Sequence, residues 1–156
     1  MTTANVVFSG PASHTMPIRR EAPVASGQTI YPGQLVEYSS GEWVEASTDG
    51  QGGDFYIADM DTIKQKTVTD ALTVGDDAQA FVPEVGCTYN LVLAASQTIT
   101  LGEGLTSNGS GEVKSAATDG TEAVLFCAEE AVTTTGATGR IRARYNPGTV
   151  SADTTA

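Results

Sequence analysis

One phrase occurs twice in this chain, and it restricts the fold to something built from a repeated β unit. Residues 29–50 read TIYPGQLVEYSSGEWVEASTDG and residues 98–120 read TITLGEGLTSNGSGEVKSAATDG. Thr29-Ile30 aligns with Thr98-Ile99, Gly33 with Gly102, Gly41-Glu42 with Gly111-Glu112 and Asp49-Gly50 with Asp119-Gly120, while Leu35 falls beside Leu105. The offset is 69 at the start (98 less 29) and 70 at the end (119 less 49), so one inserted residue reconciles the copies. A similar apolar strand follows each copy, Phe55–Asp59 and then Leu125–Glu129. A unit of strand, glycine turn, strand and turn reads as architecture and offers no obvious seat for a catalytic centre.

The pattern from 29 to 146 is β throughout. Gln34–Tyr38 and Glu42–Ala46 flank Ser39-Ser40-Gly41 and predict a hairpin with Trp43 and Val44 on opposite faces. TVGDDAQAFV (73–82) predicts a turn at Gly75-Asp76-Asp77, then a strand with Ala78, Ala80 and Val82 on one face. Thr88–Ala94 places Tyr89, Leu91 and Leu93 on one side. Arg140–Tyr145 alternates strictly, three arginines against Ile141, Ala143 and Tyr145, which predicts one buried and one wet or partner-facing side. Asp61–Ala71 is rich in Thr and Val and reads as a loop with at most one helical turn. Short strands at close spacing with turn signals between them indicate an all-β fold: a small β-sandwich or β-barrel, jelly-roll-like or β-tulip-like, with an internally duplicated hairpin unit.

Residues 1–28 hold Pro11, Pro17 and Pro23 among Gly and Ser, and only Val6-Val7-Phe8 resembles a strand. Proline fixes φ and removes a donor, so the stretch reads as an extended N-terminal arm, not a packed element, ahead of an all-β domain at 29–146. Residues 147–156 are small and polar and read as a C-terminal tail. With 156 residues the expectation is one domain with a real core. No apolar run approaches the roughly 18 residues of a membrane span, and the N-terminus lacks a charged start followed by an apolar stretch. The expectation is a chain made in a cytoplasm, with no membrane partner.

The formal charge of −11 repels phosphate and argues against a nucleic-acid partner. The basic residues cluster at Arg19-Arg20, Lys64/Lys66 and Arg140/Arg142/Arg144, as solvated faces or as contacts to an acidic partner. Cys87 and Cys127 lie in apolar strand contexts and read as buried free thiols. The single histidine, His14, lies in the proline-rich stretch and reads as a solvated imidazole, not as the base of a nucleophilic site. Asp59/Asp61, Asp76-Asp77 and Glu129-Glu130 are sequence pairs only, the glycines of GEGLTSNGSG suit turns and not a phosphate loop, and no Cys/His cluster suggests zinc. The expectation is no enzyme activity, no cofactor and no metal.

The order of these segments carries a resemblance. It runs through Ile30-Tyr31-Pro32-Gly33-Gln34-Leu35-Val36, Val74-Gly75-Asp76, Val82-Pro83, Tyr89-Asn90-Leu91, Ile99-Thr100-Leu101-Gly102, Ala128-Glu129-Glu130-Ala131 and Arg140–Arg144. Across about residues 25–146 the pattern resembles the capsid cement or head decoration proteins of tailed bacteriophages. The resemblance implies a structural virion protein on the outer surface of an expanded icosahedral head. There it would clamp neighbouring major capsid subunits, as a homotrimer in preference to a homodimer. In that picture three regions make contact. The arm (Val6, Val7, Phe8, His14, Arg19 and Arg20) lies over the capsid or a neighbour. Arg140, Arg142 and Arg144 form an ionic face, and Trp43, Phe55 and Tyr56 are core or inter-subunit anchors. The rival expectation is an adhesive or carbohydrate-binding β-sandwich module with an exposed aromatic platform.

Overall fold

A computed structural model of the chain describes residues 6–11, 17–50 and 53–148. It is all-β. The first strand is β1 (Phe8–Gly10), and fourteen more fall into two series of seven. The first series is β2 (Arg19–Pro23), β3 (Thr29–Ile30), β4 (Leu35–Ser39), β5 (Glu42–Glu45), β6 (Phe55–Ala58), β7 (Leu72–Thr73) and β8 (Asp77–Phe81). The second is β9 (Thr88–Leu93), β10 (Thr98–Ile99), β11 (Gly104–Ser107), β12 (Val113–Ser115), β13 (Phe126–Ala128), β14 (Val132–Thr133) and β15 (Gly139–Tyr145).

Each pairing of the first series recurs in the second. One sheet runs β2-β8-β6-β4-β5; the other runs β9-β15-β13-β11-β12, with β1 added outside β9. The ribbon β3–β7 is matched by β10–β14. Both sheets close at the same point: Val24 bridges Trp43 in parallel, and Leu93 bridges Val113 in parallel. The bond beside each closure is also the same, with Ala25 N–H donating to the Trp43 carbonyl (3.0 Å) and Ala94 N–H to the Val113 carbonyl (2.9 Å). Each series is therefore a small five-stranded barrel with a two-stranded ribbon. The duplication covers 19–81 and 88–145, well beyond the phrase that reveals it.

The inserted residue is now located. In the first barrel β4 and β5 join through Ser40-Gly41, both at positive φ (52° and 91°), as a two-residue hairpin turn demands. In the second the corresponding closing pair is Asn108 and Glu112, joined by an N–H···O bond of 3.0 Å, with one more residue between them.

A second shared device is the turn that leads into the hairpin. Gln34 N–H donates to the Tyr31 carbonyl (3.0 Å), and its side-chain Oε1 accepts from Tyr31 N–H (2.7 Å). In the second copy Glu103 bonds Thr100 in the same two ways, at 3.2 and 2.8 Å. Gly33 and Gly102 hold the positive-φ position of these turns, at 89° and 85°. Only Gly33 is also compressed: a Cβ there would lie 2.5 Å from the Asn90 carbonyl oxygen and 2.8 Å from Arg140 Nη1, whereas none at Gly102 meets anything within 4 Å. Gly102→Ala is expected to cost about 1–2 kcal/mol from backbone strain alone. Gly33→Ala adds overpacking and is expected to cost about 2–5 kcal/mol. Urea midpoints of the two variants measure the difference, and equal losses would mean that the contact at Gly33 yields freely.

The two interiors solve the same packing problem differently. The first barrel is filled by Trp43, 1% exposed, among Ala22, Ala58, Ala78 and Ala80, with Val24, Val36, Ile30 and Leu72. Its indole N–H donates to the Ala78 carbonyl at 2.9 Å. Registers place Val113 where Trp43 stands, and Leu91 opposite Ile141 where Ala22 stands opposite Ala78. At these positions one barrel sets a large residue against small ones and the other uses medium residues, while Ala58 and Ala80 keep alanine counterparts in Ala128 and Ala143.

The outer face of the first barrel packs against the second. Leu35, Ala46, Phe55, Ile57 and Phe81 belong to the core that also contains Tyr89, Leu91, Phe126 and Ile141. Phe55 lies 6.0 Å from the Phe126 ring and 5.9 Å from the Tyr145 ring. Main-chain bonds cross the junction, from Leu35 N–H to the Gly111 carbonyl (2.7 Å) and from Val92 N–H to the Gly33 carbonyl (3.1 Å). As a result β9 is buried on both faces, so Asn90 and Val92 are buried as well as the predicted Tyr89, Leu91 and Leu93.

Three expectations are corrected. The described part of residues 1–28 is packed into the fold: β1 pairs antiparallel with β9, Val7 is buried, and β2 pairs with β8 along its whole length with Ala22 and Val24 inside the barrel. Proline was no obstacle, because Pro23 ends β2. Cys127 is half-buried, unlike Cys87, because it occupies the outward position that Ile57 fills in the first barrel. Lys64 stays half-exposed, but it and Lys66 both turn their ammonium groups onto the buried Asp76 carboxylate, at 2.6 and 2.9 Å. These bonds, with that from Thr73 N–H, hold the Asp76 carboxyl well below the usual carboxylate range. The loop at 61–71 contains turns and no helix, as expected.

Candidate functional site

The arginine strand β15 splits its three side chains. Arg142 and Arg144 are exposed and pair within the second barrel, Arg142 with Glu130 at 3.4 Å and Arg144 with Glu129 at 3.8 Å. Arg140 is instead drawn beneath the first barrel, so the three do not form one outward ionic face. Its Nη2 donates to the Val68 carbonyl, its buried Nη1 has no hydrogen-bond partner, and among the described residues no carboxylate lies within ion-pair distance. Burial lowers its pKa from the ordinary guanidinium value.

The N-terminal candidates also separate. Val6 is exposed, Val7 is buried, and Phe8 packs against Tyr89 (5.7 Å) and Phe81 (6.0 Å), joining the two barrels. Arg19 pairs with the buried Asp59 carboxylate at 3.1 Å and lies 4.7 Å from the Phe81 ring centre. Arg20 is exposed and stacks 3.4 Å from the Tyr38 ring centre while donating to the Tyr56 hydroxyl at 3.3 Å. Tyr38 and Tyr56 both meet Trp43 edge-on, so Arg20 covers an aromatic lid on the first barrel. Trp43 and Phe55 are core residues and Tyr56 is half-buried, so none of the three is an exposed platform. His14 lies outside the described residues.

A further concave feature has no counterpart among the sites singled out from the sequence. A cleft of about 620 Å³ opens between the barrels. Its first wall comes from the Tyr31–Gln34 turn and Glu45 of the first barrel. The opposite wall comes from Asn90 and Val92 on β9, Glu112 beside the longer hairpin turn, and Arg140 and Arg142 on β15. Gln34 and Asn90 are 5% and 2% exposed, whereas Tyr31 stands at the rim, 43% exposed. Burial pushes the Glu45 carboxyl up, a side-chain bond from Gln34 pulls it down, and the nearby Glu112 charge raises it again. Neither Glu45 nor Glu112 is ion-paired among the described residues; Glu112 accepts from the Asn108 amide at 2.7 Å. The cleft therefore holds carboxylates, amides and guanidinium groups above an apolar floor of Val92 and Val68. A faint signal for it existed in the sequence, since Gln34 and Asn90 are polar residues set among apolar strand positions.

Among the described residues no group of three His, Cys, Asp or Glu side chains is placed to hold a metal ion. No helix is long and apolar enough to cross a membrane. No protein-family model matches the chain, and no curated protein matches it in sequence. Among solved structures, the fold is similar to the N base of head fiber gp8.5 of bacteriophage phi29, with a TM-score of 0.57 and 17% sequence identity. The match covers 84% of this chain and 95% of that one.

Proposed function

We propose that this protein is a structural component of a bacteriophage virion, seated on the outer surface of the head and bound to the major capsid protein. The observation that carries the reading is the shared fold with a head fiber base, which extends over nearly all of that chain. The architecture is consistent with it: two fused barrels with interlocked cores make a rigid body suited to an exposed position. A protein that binds only the assembled, expanded lattice stabilises that lattice by mass action, and many copies on a symmetric shell make the gain collective. In this reading the chain bridges neighbouring capsid subunits as a homotrimer, because three seams meet at a three-fold position. Arg20 and Arg144 are exposed cations available to an acidic capsid surface, and Val6 and Ile18 are exposed apolar residues near the same N-terminal segment.

The test is to mix the purified chain with expanded, undecorated capsids and image the product by cryo-EM. Stoichiometric density at one class of symmetry site is expected, with Arg20→Glu and Arg144→Glu weakening occupancy about tenfold or more. Absence of binding to any capsid lattice would overturn the reading. Sedimentation of the free protein reads the trimer directly.

A further inference from the structure

We propose that the cleft between the barrels is a binding site for a short, uncharged oligosaccharide. This proposal does not depend on the virion reading. It begins from size: about 620 Å³ lies within the roughly 300–1,000 Å³ of small-ligand sites and accommodates two or three sugar rings.

The lining chemistry selects among ligand classes. Anions are disfavoured, because Glu45, Glu112 and Glu130 outnumber Arg140 and Arg142, and Arg142 is already tied to Glu130 at 3.4 Å. A bare metal ion lacks the donor cluster it needs. A wholly apolar ligand would cover the Glu45 and Glu112 carboxylates, neither of which has an ion-pair partner among the described residues, without offering them a hydrogen bond. A sugar hydroxyl both donates and accepts, so one ring can give protons to Glu45 and Glu112 and accept them from amide and guanidinium N–H groups. A planar carboxylate or guanidinium fork can address two adjacent hydroxyls at once. Sugar rings also carry an apolar C–H face. Val92 on the floor and the exposed Tyr31 ring at the rim supply surfaces for it.

The polar set of the cleft is not repeated by the duplication. Registers place Glu21 where Asn90 stands and Ser115 where Glu45 stands, so the equivalent positions do not converge. The polar set arises only where the outside of one barrel meets the wall of the other. The site is thus a product of the asymmetric packing and not of the repeat itself.

The experiment is a glycan array carrying neutral and sialylated oligosaccharides, followed by NMR titration of the full chain with the best neutral hit. Binding of neutral glycans is expected, with amide shifts concentrated at Thr69, Asn90–Val92 and Ser110–Glu112. Glu112→Gln and Tyr31→Ala are each expected to weaken binding about tenfold or more while the melting temperature stays near that of the parent. The shift map on the parent chain decides the question even where a variant fails to fold. No hit, a preference for charged glycans alone, or shifts mapping away from the cleft would each overturn the proposal.

Discussion

Removal of residues 1–24 is expected to unfold the protein. The deletion takes away β2, which pairs with β8 from Arg19 to Pro23, and with it Ala22 and Val24 from the interior of the first barrel. It also removes the Val24–Trp43 bridge that closes that barrel, leaving open edges on β8 and β5. The second barrel loses Val7 and Phe8 from the shared core. Circular dichroism and amide-proton dispersion are expected to show no cooperative melt. A shorter deletion, of residues 1–10, removes β1 and spares both barrels. It should fold with about 2–4 kcal/mol less stability, from the loss of one fully and one partly buried apolar side chain. A folded 1–24 deletion with an unchanged melt would restore the view of this segment as a free arm.

Trp43→Ala should cost about 3–5 kcal/mol, the usual range for deleting a buried tryptophan. The residue fills the first barrel, and its deletion also leaves the Ala78 carbonyl without the indole donor held at 2.9 Å. Guanidinium titration of parent and variant gives the loss directly. The equivalence of the two barrels makes a stricter test available. Trp43→Val combined with Ala22→Leu and Ala78→Ile imports the second barrel's solution. It is expected to recover a large part of the stability lost by Trp43→Val alone. A triple variant less stable than the single one would show that the interiors are not interchangeable.

Much of this fold is legible in the sequence because turns leave strong local marks. The hairpin at Ser40-Gly41, the glycine turns at 33 and 102, and the alternation of Ile141 and Ala143 all follow from local geometry. What stayed hidden is instructive in each case. Strands β2 and β9 are structural equivalents, yet RREAP and TYNLVL share no visible pattern. The reason is environment: β2 keeps most of its residues exposed, whereas β9 is buried on both sides by the neighbouring barrel and β1. Arg140 keeps the face of Arg142 and Arg144 on β15 but is covered, because Gly33, lacking a side chain, leaves room for its guanidinium beneath the turn. The cleft was invisible for a related reason. Tyr31 and Asn90 are far apart in sequence, and only the contact between barrels brings them to one cavity.

The junction between the barrels also has a consequence for stacking of such units. The contact is head-to-tail: the Leu35 N–H of the first unit donates to the Gly111 carbonyl of the second, whereas the carbonyls of Leu35 and of its counterpart Gly104 accept the same bond within their own units, from Ala46 and Ala116. Such contacts are not self-limiting, and a surface that accepts one neighbour could in principle accept an endless file of them. Here the second unit has lost the means. Gly104 and Cys127 stand where the first unit presents Leu35 and Ile57, and the side chain of Val124 lies over Gly104 at 3.0 Å from where a Cβ would be. The second barrel thus serves as its own end cap: a side chain at position 104 would meet Val124, and the first barrel's counterpart of the accepting strand β9 is the exposed, charged β2.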